Sequence, residues 1–251
     1  MSTKTDAYRR TLGTLTDWEP FLLEESGLPG PRGNLELMQA VADAGTRRRF
    51  DAFLRWTPER APFGSREEFL ACCGAVGLGR LIADGKTDLL PRLRTLATDP
   101  RWRVRESVAM ALQRFGAVDM PALLREMRAW AGGNDLERRA AVAALCEPAL
   151  LVRDADVRRV LRILDRITAG LAAAEDRRNE PFRILRQGLA YGWSVAIAAA
   201  PDFGKPIMER WIRSDDRDVR WVMKQNLAKK RILAAGTEWV ERSRAMLEGG
   251  E

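Results

Sequence analysis

The chain contains no histidine. That absence excludes Ser-His-Asp and Cys-His catalysis and removes the usual zinc ligand. Cysteine is scarce. Cys72, Cys73 and Cys146 form an odd count without the spacing of a disulfide framework or a Cys-x-x-Cys pair. Reduced, buried thiols in a cytoplasmic protein are the expectation, with no metal and no cofactor. Long apolar runs are also missing. The stretch from Val195 to Ala200 is far too short to cross a bilayer. The opening Met1-Ser2-Thr3-Lys4-Thr5-Asp6 lacks the apolar core of a signal peptide. No segment of useful length alternates as a strand does.

Charge and apolar content are plentiful. Lysine and arginine total 42 against 35 acids, a net charge of +7. Hydrophobic residues at 46% rule out a disordered polyelectrolyte. A basic balance favours an anionic partner, with nucleic acid first. Nearly all of that charge is arginine, so a purely compositional origin is the alternative.

The clearest pattern is a repeat. Leu90, Leu93 and Leu96 are followed by Asp99-Pro100, then Arg105, Val108 and Leu112. Thirty-four residues on stand Leu124, Met127, Trp130, Arg139, Val142 and Cys146. A third echo places Met208, Trp211, Val219, Arg220, Met223 and Leu227. A period in the 30s made of two amphipathic segments predicts stacked helical hairpins. The expected fold is therefore all-α: a right-handed α-solenoid of about five to seven helical pairs.

Local signals divide the chain further. Residues 1–33 read as an N-terminal helical segment and a Gly/Pro-rich linker from Gly27 to Gly33. Residues 34–235 read as the repeats, and 236–251 as a cap helix and tail. Asn34 is placed to cap a helix over Leu35 to Ala44. Ser65 with Glu68 has the spacing of a capping box. Pro201 to Pro206 reads as a break before a helix over 206–213.

The pattern Leu-x-x-Leu-x-x-Leu-x-x-Asp-Pro, then Val-Arg-x-x-Val-x-x-x-Leu, resembles the HEAT repeat. Residues 90–112 fit it well, and 124–146 and 208–227 fit in part. Trp102 followed four residues later by Glu106, with Arg138-Arg139-Ala140-Ala141 beyond, is similar to the bacterial DNA-alkylation-repair glycosylases built of HEAT-like repeats. That resemblance implies a carboxylate at Glu106 that stabilises positive charge on the sugar as an alkylated purine leaves. It implies DNA contacts from Trp102 and Arg139. The chain departs from that family where glutamate replaces aspartate. Leu189 stands where the family places a second tryptophan, with Trp193 one turn on.

Candidate site residues follow. Glu106 is the catalytic candidate of the glycosylase reading. Trp102, Arg105, Arg139, Arg183, Arg186, Arg217, Arg220, Lys224 and Arg231 are the candidate nucleic-acid contacts. Arg105, Arg139 and Arg220 recur at one repeat position. They either track phosphates or bond internally as a ladder between turns. Arg217, Arg220, Lys224 and Arg231 fall within about 60° on a helical wheel, beside an apolar sector. The leading reading is a non-catalytic HEAT-repeat scaffold holding duplex DNA or another polyanion on a basic concave face, as a monomer, in the DNA-alkylation-repair-like context that the resemblance implies. The alternatives are a DNA glycosylase excising alkylated purines and a protein-protein interaction scaffold.

Overall fold

The computed structural model describes residues 3–249, which divide after Val118 into two compact units. Among the described residues there are fourteen α-helices, three short 3-10 turns and no strand. The fold is an all-α solenoid.

The first unit holds seven helices: α1 (Lys4–Thr14), α2 (Glu19–Glu24), α3 (Leu35–Ala44), α4 (Arg47–Phe53), α5 (Glu68–Ala83), α6 (Leu90–Leu96) and α7 (Trp102–Val118). Three of their starts are fixed by side-chain caps. Thr3 and Asp6 form a reciprocal capping box on α1, Asn34 accepts the Leu37 amide on α3, and Thr46 accepts the Arg49 amide on α4. Each such cap is worth about 1 kcal/mol. Ser65 does accept the Glu68 amide, at 3.3 Å. The Glu68 carboxylate turns instead to the Gly64 amide and to Arg103.

Helix α5 is buried almost all round, from Glu68 through Gly79. Its small residues let neighbours approach closely. A Cβ on Gly79 would sit 2.4 Å from the Ala111 Cα of α7, so only glycine fits that crossing. Residues 27–33 form a packed turn in this unit. Leu28 is buried, and the Asn34 amide closes the turn on the Ser26 carbonyl at 2.8 Å.

The second unit holds α8 (Met120–Trp130), α9 (Asp135–Leu145), α10 (Asp154–Ala172), α11 (Glu180–Ala199), α12 (Pro201–Ile212), α13 (Arg217–Leu227) and α14 (Thr237–Glu248). Two layers result. Helices α8, α10 and α12 follow one another in one layer, and α9, α11 and α13 in the other. Gly192 permits the α9–α11 crossing, because a Cβ there would lie 2.7 Å from Val142 Cγ1. Helix α14 packs on α12 and α13.

Helix α12 starts earlier than its prolines suggest, and Pro206 lies inside it. Pro201 occupies the first turn, where no amide is needed. Pro206 and Asp202 are both exposed, so the carbonyl that Pro206 leaves without a donor is open to water.

Candidate functional site

In the first unit the turn between α6 and α7 is built around arginine. Arg101 grips Asp99 with two bonds, Nε to Oδ1 at 2.9 Å and Nη2 to Oδ2 at 2.7 Å, and both residues are buried. Its Nη1 donates to the carbonyls of Trp56 and Ala61. Burial opposes the Arg101 charge, and the Asp99 carboxylate more than offsets it, so the guanidinium pKa is raised. Arg105 is buried as well. Its Nη1 donates to the carbonyls of Asp99 at 2.6 Å and Pro100 at 2.9 Å. This is the internal use of a repeat-position arginine, with backbone carbonyls in place of an aspartate.

Trp102 is 40% exposed at the start of α7. The Arg103 guanidinium lies 4.5 Å from its ring centroid and 5.4 Å from that of Phe63. Arg103 also reaches Glu68 Oε2 at 3.2 Å and the Gly30 carbonyl at 2.7 Å. Glu106 is half-buried, one turn after Trp102. Trp102 and Glu106 belong to the first unit, and Arg139 and Arg186 to the second.

The second unit carries the remaining candidates on its α9, α11 and α13 layer. Arg139 is half-buried on α9, and its Cγ lies 3.2 Å from where a Gly188 Cβ would be. Arg186 pairs with the buried Asp218 and stacks 4.4 Å from the Trp221 centroid. Arg177 joins that network, 2.6 Å from Asp216 and 3.2 Å from Asp218. Arg220 donates to the Leu247 carbonyl at the end of α14. The residues open to solvent are Arg183, Arg217, Lys224 and Arg231. The Arg231 guanidinium lies 4.4 Å from the centroid of the exposed Tyr191 ring. Leu189 and Trp193 both point into the core, and the Trp193 indole donates to Thr168 Oγ1 at 3.0 Å.

The hairpins α6/α7 and α8/α9 reproduce the 34-residue offset read in the sequence, each an amphipathic pair joined by a short turn. Residues 71–146 match the family model described as HEAT repeats. Over that stretch the chain is similar to HEAT repeats. No curated protein matches it. Among solved structures it is similar to a crystal structure of an engineered protein, at 17% identity, over 94% of this chain and 98% of that one, with a TM-score of 0.40. HEAT repeats provide surfaces for binding, with no particular ligand implied. No helix among the described residues is long and apolar enough to cross a membrane.

One feature of the second unit is absent from the candidates above. A groove of about 690 Å³ lies between α8 and α10, lined by Arg125, Arg128, Arg159, Arg162 and Arg166. Leu124 and Ile163, both buried, form its floor. The signal was present: 125 and 128 lie three apart, and 159, 162 and 166 follow i, i+3, i+7 spacing. The wheel applied to residues 217–231 would have found both stripes.

Proposed function

We propose that this chain is a non-catalytic HEAT-repeat scaffold that holds duplex nucleic acid on its α9/α11/α13 layer. The observation that supports it is the set of exposed cations there without a close carboxylate. Arg183 on α11, Lys224 on α13 and Arg231 just beyond it form no ion pair among the described residues. Arg217 is 86% exposed at its side chain and has only Asp218 at 3.8 Å, a carboxylate already engaged by Arg177 and Arg186. Arg217 and Lys224 stand seven residues apart, a rise of about 10 Å along α13. One DNA strand offers a phosphate every ~3.4 Å of axis, so that rise spans about three of them. Contacts of this kind position a duplex without reading its sequence.

Fluorescence anisotropy with a random duplex across a salt series tests the reading. Three to four phosphate contacts give a log K versus log salt slope of about −3 to −4. Replacing Arg183, Arg217 and Lys224 with glutamine lowers the affinity and reduces the slope by about 3. Absence of binding at about 50 mM salt, or a slope unchanged in the triple variant, rejects it.

A further inference from the structure

The α8/α10 groove lies on the other layer of the second unit, and of its five arginines only Arg159 meets an acid on these two helices. Every acid on these two helices is engaged. Glu126 accepts the Trp130 indole N–H at 2.8 Å. Asp154 holds Arg158 at 2.6 Å. Asp156 lies 3.6 Å from Arg153 and 3.5 Å from Arg159. Asp165 accepts the Trp211 indole N–H at 2.7 Å and pairs with Arg210. Arg125, Arg128, Arg162 and Arg166 are exposed and form no ion pair among the described residues. Like charges three and four apart on a helix repel, so this arrangement disfavours the ligand-free fold.

We infer that the groove is a binding site for a small molecule bearing three or more clustered phosphates. Guanidinium forks match phosphate oxygens two at a time. Arg159 to Arg166 spans about 10 Å of helix. Helices pack about 8–10 Å apart, so the floor between α8 and α10 is one helix-spacing wide. That width admits a phosphate chain and not a duplex. The groove volume of about 690 Å³ lies in the small-ligand range. The apolar floor of Leu124 and Ile163 offers a ring or base something to rest on. The site stands independently of nucleic acid on the α9/α11/α13 layer.

Isothermal titration of the full chain with tripolyphosphate, ATP and orthophosphate tests it. Tripolyphosphate binds about 100-fold tighter than orthophosphate, at roughly tenfold per added charge-assisted contact. Arg162→Gln with Arg166→Gln weakens tripolyphosphate binding by about 100-fold, and Arg48→Gln, at an exposed arginine of the first unit, leaves it unchanged. Equal affinity for ATP and tripolyphosphate identifies the phosphates alone as the ligand; tighter ATP adds the base, and both outcomes support the site. The double variant also melts at the same or a higher temperature than the parent without ligand at low salt, because repulsion is relieved. No heat with tripolyphosphate at millimolar concentration overturns the inference. So does undiminished binding by the double variant, orthophosphate binding as tightly, or a lower melting temperature for that variant.

Discussion

The turn before α7 and the groove between α8 and α10 use the same side chain in opposite ways. At the turn, Arg101 and Arg105 are buried and spend their donors on Asp99 and on four backbone carbonyls, those of Trp56, Ala61, Asp99 and Pro100. In the groove, four exposed arginines have no acid to meet. The first set holds the chain's own backbone, and the second leaves its hydrogen-bonding capacity for something else. Net charge alone cannot separate these uses, because both contribute equally to it.

The largest test of the contrast is Arg101→Ala. Breaking a buried ion pair by removing one partner costs about 3–5 kcal/mol, read as a drop in the urea midpoint. A loss below about 1 kcal/mol would put Arg101 in the same class as the groove arginines and dissolve the comparison. Asn226→Ala comes next, at about 2–3 kcal/mol, since the buried Asn226 carboxamide on α13 bonds the Ser194 amide and the Leu189 carbonyl of α11. Arg105→Gln follows at about 1–2 kcal/mol, because the Asp99 and Pro100 carbonyls lose a charged donor.

Groove substitutions sit at the other end. Replacing Arg125, Arg128, Arg162 and Arg166 with glutamine shifts stability by no more than about 0.5 kcal/mol, with the sign favouring the variant at low salt. Raising the salt should erase the difference.

The smallest expected effect is at the thiols. Burial pushes Cys72 and Cys146 up to about 12. Unfolded cysteine titrates near 8.5. The native state thus holds these protons more tightly than the unfolded chain. Their contribution is fully present below about pH 8.5 and declines as pH rises from there towards 12. Native protein at pH 8 should resist iodoacetamide at all three positions, and urea-unfolded protein should react fully. Rapid native labelling of Cys72 or Cys146 would contradict that burial.

Much of the fold was legible because it rests on short-range rules. Asn34 caps α3, and its predicted span from Leu35 to Ala44 is the observed one. The 34-residue repeat located α6/α7 and α8/α9. Pro206 misled because a proline on the solvent side of a helix sacrifices only a bond that water replaces. The site was less legible for a different reason. Arg105, Arg139 and Arg220 share a repeat position, yet Arg105 binds its own turn and Arg220 binds the end of α14. What lies within reach of each guanidinium depends on neighbouring turns that the repeat does not copy. The groove arginines stand out only against the bonding of the acids around them, which leaves Arg125, Arg128, Arg162 and Arg166 without an ion pair among the described residues.

Asn226 is buried on α13 and its hydrogen bonds to α11 go to the main chain: its Oδ1 accepts the Ser194 amide at 2.8 Å, and its Nδ2 donates to the Leu189 carbonyl at 2.9 Å. Main-chain groups are common to every residue but proline. The alignment of these two helices is therefore written into one side chain on one of them. Those two bonds do not depend on the side chains at 189 and 194, which are held by the core instead, so the exposed positions of α11 are free to diverge while the two helices stay in step.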